Sequence, residues 1–303
     1  MEQLNIFDYI KKEYKIKKPI RLIEVFSGVG AQAMALRNLG VEFEHYRAIE
    51  IDKYAMLSYN AIHGTSFETS DVTKVKGKDL GIVDTDKYEY ILTYSYPCTD
   101  ISVAGKMMGM EKGSGTRSSL LWEIERLLNE TEQLPQILVL ENVAAAHSKQ
   151  NIKSFQSWIS FLESKGYSNF WQDLNAKDYG VAQNRLRVFM VSIYDPNNEY
   201  NYKFPQPIPL TKTMKDYLED DVPDKYYITS EKAKILVDKL ISEGKILTNE
   251  RTNERTNERA TIDLTFSHAE TIECASTITA RYDAGVCKHK YERSGVCEWS
   301  RLS

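Results

Sequence analysis

Over the first 190 residues, short apolar runs alternate with stretches of helical periodicity. Ile20–Phe26, Tyr46–Glu50, Tyr90–Ser95, Ile137–Glu141 and Val188–Ile193 are brief, rich in β-branched and aromatic residues, and bounded by polar, Gly or Pro positions. Each reads as a buried strand. Between them Ala31–Leu39, Ser118–Asn129 and Ile152–Lys165 carry apolar residues at helical spacing. Strands and helices that alternate at this length form an α/β domain, a doubly wound and mostly parallel sheet covered on both faces. Such sheets present their ligands at the carboxyl ends of the strands.

The pattern changes near Asp195–Pro209, which holds four of the eight prolines and reads as a linker. A polar helix is expected around Ser230–Ser242, followed by three perfect copies of Thr-Asn-Glu-Arg over Thr248–Arg259. The rest, to Ser303, mixes strand and loop.

Composition narrows the class. Apolar residues make up 42% of the 303, enough for a sizeable core. No run approaches about 18 apolar residues, and the N-terminus lacks a signal-peptide pattern, so neither a membrane span nor secretion is expected. The 39 basic and 43 acidic residues give a net charge of −4, so any surface for a polyanion is local. Four cysteines in so long a chain do not form a disulfide framework, and a reducing cytoplasm fits them. His268, Cys274, Cys287, His289 and Cys297 match no usual zinc spacing, so no metal site is expected.

Five stretches carry the chemistry. Phe26-Ser27-Gly28-Val29-Gly30 follows a strand and opens a helix; glycines there admit a ligand close to the backbone, and the helix N-terminus favours an anionic group. Glu50 ends the next strand, where a carboxylate can accept from ribose hydroxyls. The glycine turn and Glu50 together indicate an adenosine-bearing ligand, NAD or S-adenosylmethionine, while Asp71 reads equally as an acceptor for an adenine amino group and as a surface-turn aspartate. Pro97-Cys98 follows a strand directly and precedes a glycine-dotted stretch (Gly105, Gly109, Gly113, Gly115) suited to a lid, which favours Cys98 as a nucleophile over a buried hydrophobe. Glu141-Asn142-Val143 puts a carboxyl group at another strand end, as salt-bridged residue or as general acid. Gln183-Asn184-Arg185-Leu186-Arg187 offers two alternating arginines for phosphate or a base edge.

In this order and spacing the five stretches resemble the cytosine-5 DNA methyltransferases of bacterial or phage type. Asp178-Tyr179-Gly180 and Thr277-Ile278-Thr279-Ala280-Arg281 resemble the family too. The resemblance implies the S-adenosylmethionine-dependent methyltransferase fold, with S-adenosylmethionine as donor and double-stranded DNA as partner. It places Phe26, Gly28, Gly30, Glu50, Ile51, Asp71, Val72 and Pro97 at the donor. It gives catalysis to Cys98, Glu141, Asn142, Arg185 and Arg187, acting on a cytosine flipped out of the duplex. It also implies a catalytic and donor-binding domain over residues 1–195, a target-recognition region over 196–275, and a partial return to the catalytic domain over 276–303.

The chain departs from the family's pattern at three places. Thr99 stands where glutamine usually follows the cysteine, the recognition region is short, and no Gly-Asn dipeptide of the closing motif occurs. An apolar flank is therefore expected to be exposed beside Ala31–Leu39. The chain alone is expected to be weakly active or inactive, with activity restored by a second polypeptide or a longer reading frame. The repeat has a genetic reading: the codons ACG-AAC-GAA-CGA spell Thr-Asn-Glu-Arg as copies of one tetranucleotide. Slippage in such a tract would switch expression on and off, suited to a restriction–modification or phage-defence setting. Synonymous codons that break the tract would sink this. Three other readings compete: a tRNA cytosine-5 methyltransferase, a non-catalytic or split-subunit homologue, and a nicotinamide dehydrogenase, which leaves Pro97-Cys98 and Glu141–Val143 unexplained.

Overall fold

The computed structural model describes residues 11–101 and 109–217, together with 235, 239, 242, 259–263, 275–276 and 294–298. The chain divides into two compact units, Met1–Asp173 with Arg187–Pro205, and Leu174–Leu186 with Gln206–Ser303.

The first unit is built on a six-stranded sheet. Its strands are β1 (Ile20–Val25), β2 (Phe43–Ile49), β3 (Glu89–Tyr94), β4 (Ile137–Val143), β5 (Tyr167–Asn175) and β6 (Leu186–Tyr194), in the order β2-β1-β3-β4-β6-β5. The first four run parallel, whereas β6 lies antiparallel to β4. All five strands expected from the sequence are present. The sixth, β5, lies at a sheet edge and is mostly half-exposed, so it lacks the apolar run that marks the others.

Strand alternation sends β1 side chains to both faces, and both are covered. Helices α3 (Leu121–Glu130) and α4 (Ile152–Ser164) pack with Ile23, Val25, Leu92 and Leu138 in the main core. There the Trp158 indole donates to the Tyr94 hydroxyl at 3.1 Å. Helix α1 (Ala31–Asn38) lies on the opposite face, where Ala33 packs with Ile20, Leu22, Ile91 and Ile137. Helix α2 (Lys53–His63) joins it there; the Asp52 carboxylate caps it by accepting from the Tyr54 and Ala55 N–H groups. Among the described residues no helix is long and apolar enough to cross a membrane.

In the second unit Gln183–Asn184 pairs in parallel with Ala275–Ser276, and Arg259–Asp263 pairs antiparallel with Ser294–Glu298. The lid position Gly105, most of the Thr248–Arg259 repeat, Thr277–Arg281, and His268, Cys274, Cys287 and His289 lie outside the described residues.

Candidate active site

At the carboxyl end of β1 the backbone turns through Phe26 (φ 58°), Gly28 (φ 55°) and Gly30 (φ 79°) into α1. Gly30 is fixed by space as well as by φ. A Cβ there would collide with the His63 imidazole and sit 2.7 Å from the Tyr59 ring. Glu50, at the end of β2, ties the turn together. Its Oε2 accepts from the Gly28 N–H at 2.9 Å, its Oε1 from the Asp52 N–H at 2.8 Å, and its carbonyl from the Ser70 N–H at 2.8 Å. One acidic residue thus aligns the glycine turn, the start of α2 and the segment leading to Asp71. Ile51 beside it is 69% exposed. Asp71 Oδ1 accepts from the Thr73 hydroxyl and N–H, which hold its carboxyl below the usual range. Val72 is buried, and its carbonyl takes a hydrogen bond from Arg126 of α3 at 2.9 Å.

The residues present fit an adenosine-bearing methyl donor. The N-cap residue of α1, Gly30, brings no side-chain cap, the Ala33 N–H of the first turn is already taken by Glu24, and the buried Ser27 hydroxyl has no hydrogen-bond partner among the described residues. The Ser27 hydroxyl and the side-chain-free Gly30 leave room and a polar group for a ligand at the turn.

The second half of the site lies at the carboxyl ends of β3 and β4. Tyr96-Pro97-Cys98 is clamped through its backbone: Asn142 Nδ2 donates to the Tyr96 carbonyl at 2.9 Å, and Ser118 Oγ donates to the Pro97 carbonyl at 2.7 Å. Cys98 is half-buried against the main core, with its thiol free. Glu141 receives Ser95 Oγ on Oε2 at 2.8 Å and Arg187 Nε near Oε1 at 3.2 Å. The sheet register makes this row. Tyr94 pairs with Leu140, so Ser95 comes level with Glu141, while Val143 pairs with Arg187 from the antiparallel β6. Arg185 lies in the second unit, where its N–H donates to Asn175 Oδ1 at 2.9 Å.

Sequence reasoning missed Glu24, Tyr59, His63 and Ser95. Glu24 sits in the middle of β1, fully buried, with Oε1 accepting from Ala33 N–H at 3.3 Å and Oε2 from Tyr59 OH at 2.6 Å. Burial raises its pKa, against the pull of those two hydrogen bonds. The signal was a lone carboxylate inside the apolar run Ile20–Phe26, costly unless it holds something in place. His63 Nε2 lies 3.1 Å from the Val29 carbonyl, supporting the glycine turn from α2.

A sheet centred on parallel strands, with a glycine turn tied to a strand-end carboxylate at its carboxyl end, is the fold of the S-adenosylmethionine-dependent methyltransferases. The chain belongs to the C-5 cytosine-specific DNA methylase family, whose model matches residues 20–295. Its activity is DNA cytosine-5 methylation, with S-adenosylmethionine as the methyl donor. It is similar to the type II methyltransferase M2.ScrFI of Lactococcus lactis subsp. cremoris, 35% identical over 256 residues, 69% of this chain and 70% of that protein. It is also similar to the orphan methyltransferase M.SssI of Spiroplasma monobiae, 32% identical and covering 79% of this chain and 70% of that one. The S. pombe Dnmt2 methyltransferase shares the fold, with a TM-score of 0.54 at 21% identity over 74% of this chain and 66% of that chain. The chain spans between 57% and 70% of the length of the curated relatives it matches.

Proposed function

We propose that this chain methylates a cytosine swung out of duplex DNA, with Cys98 as nucleophile. The observation that carries the reading is the Glu141 carboxylate, held between Arg187 and the strand end that runs into Cys98. The Cys98 thiolate adds to carbon 6, forming an S–C bond and moving an electron pair toward carbon 5. Glu141 supports the addition by giving a proton or hydrogen bond to ring nitrogen 3. Carbon 5 takes the methyl group, which the donor supplies from a sulfonium; loss of the carbon 5 proton then expels the thiolate and restores the ring. Arg187 orients Glu141 and meets the base oxygen, Asn142 holds the cysteine loop through the Tyr96 carbonyl, and Arg185 contacts the DNA backbone. Phe26, Gly28, Gly30, Glu50, Ile51, Asp71, Val72 and Pro97 surround the donor. Glu50 receives its ribose hydroxyls, and the exposed Ile51 gives its adenine an apolar face.

By sequence, residues 1–195 are assigned to catalysis, 196–275 to target recognition and 276–303 to catalysis again, whereas the compact unit that holds Gln206–Ser303 also takes in Leu174–Leu186. A restriction–modification or phage setting in the cytoplasm agrees with relatives named as type II and orphan methyltransferases. Labelled methyl transfer to duplex DNA, with Cys98→Ser as control, tests the reading; transfer retained by that variant, or to tRNA alone, overturns it.

A further polypeptide segment is proposed to cover the donor side. At the two ends of the Ala31–Leu39 stretch Val29 and Leu39 are 42% and 77% exposed, and on α2 Tyr54 and Leu57 are 76% and 55% exposed. Unchanged activity after Tyr54→Lys and Leu57→Lys would argue that nothing packs there.

A further inference from the structure

Building on that reading, we infer that Ser95 is a positioning residue for Glu141. The inference rests on the register of three adjacent strands. Ser95 is the residue that continues β3 past the Tyr94–Leu140 pair, so it lies level with Glu141 on β4. Neighbouring positions on parallel strands face the same way, so the two side chains meet, with Oγ 2.8 Å from Oε2. From the other side β6 brings Arg187 Nε to within 3.2 Å of Oε1. A glutamate carboxylate turns freely about its last torsion. A donor on each of its oxygens, from opposite sides, fixes that turn and therefore the direction in which the carboxylate meets a base.

The two donors differ in kind. Arg187 carries a permanent charge and cannot accept a proton. A serine hydroxyl both donates and accepts, so Ser95 can follow Glu141 when the glutamate gains or gives its proton, by rotating its own hydrogen. Ser95 also sits three residues before Cys98, on the segment whose carbonyls are clamped by Asn142 and Ser118. The serine thus links the aim of the acid to the placement of the nucleophile, and it needs no contact with substrate to do so.

The test compares Ser95→Ala, Ser95→Thr and the Ser95→Ala, Glu141→Gln double variant, by single-turnover labelled methyl transfer and by crystal structure. Ser95→Ala is expected to lower the transfer rate by about tenfold or more while donor and DNA dissociation constants stay within about twofold. Ser95→Thr, which keeps the hydroxyl, should restore most of the rate. In the Glu141→Gln background Ser95→Ala should cost almost nothing further, because residues acting as a unit are not additive. The crystal structure of Ser95→Ala should show the Glu141 carboxylate turned from its place between Oγ and Arg187. A Ser95→Ala protein with wild-type rate, or with additive loss beside Glu141→Gln, overturns the inference. If the wild-type chain transfers no methyl group, whether for want of a covering segment or because the functional reading fails, the crystallographic comparison still decides the role of Ser95: an unmoved carboxylate overturns it, a turned one upholds it.

Discussion

The two halves of the site lie at the same end of one sheet but are held by different means. At the donor turn Glu50 spends its carboxylate on backbone N–H groups, those of Gly28 and Asp52. At the catalytic end Glu141 is held by side chains, Ser95 and Arg187, that reach it from the strands on either side. A carboxylate that organises backbone cannot be removed without loosening the loop it organises. One that is held by side chains can be changed while the strands beneath it stay paired. The donor half should therefore fail in binding and local order together, and the catalytic half in rate alone.

The largest expected effect isolates the catalytic half. Cys98→Ala should abolish methyl transfer while leaving DNA affinity and melting temperature unchanged, since the thiol forms the covalent bond and its loss leaves no unpaired polar group. A labelled-transfer assay beside a DNA-binding isotherm checks this. Glu141→Gln comes next and should lower the rate by about 10²-fold with donor affinity intact, the range for a general acid or base. Weakened donor binding in that variant would break the division between the halves.

Glu50→Ala crosses to the donor half. It removes the acceptor for two N–H groups as well as the expected ribose partner, so donor binding should weaken by roughly 1–3 kcal/mol. Calorimetry gives the affinity. Faster amide hydrogen exchange at Gly28 and Asp52 would show the turn loosening with it, and unchanged exchange would mean that Glu50 serves the ligand only.

The same contrast explains what could be read from the sequence. Buried parallel strands announce themselves as continuous apolar runs, so β1, β3 and β4 and the residues at their ends were legible. Cys98, Glu141 and Glu50 stood out because a reactive or charged group directly after such a run is costly without a use. The half-exposed edge strand β5 gave no run, and the reversed direction of β6 leaves no mark on composition. Ser95 was hidden because a serine ending a strand is ordinary. Only register, in which Tyr94 meets Leu140, reveals that it faces Glu141. Glu24 was visible as a letter but not as a role, because its partners Ala33 and Tyr59 lie on two different helices.

The smallest expected effect also belongs to the donor half and depends on pH. His45 on β2 faces the Tyr59 and His63 rings of α2, with Phe43 beside it and the charge of Arg37 on α1 within influence. Tyr59 gives its hydroxyl hydrogen to Glu24, so the proton between His45 Nδ1 and the Tyr59 oxygen, 3.0 Å apart, belongs to the histidine. Burial, then the neighbouring His63 and Arg37, lower the pKa of His45. The unfolded chain, with an ordinary value of about 6.5, therefore binds more protons just below that pH than the native chain does. Stability from this site is complete above about pH 6.5 and is lost as the pH falls toward the lowered native value. His45 is only partly buried, so the melting temperature should drop by no more than about 2 °C between about pH 7 and about pH 5.5. Donor affinity should weaken in parallel, by less than about threefold, because Tyr59 and His63 support the glycine turn. In the His45→Gln protein both dependences should flatten. An acid-induced loss of donor affinity that persists there unchanged would remove this histidine from the support of the turn.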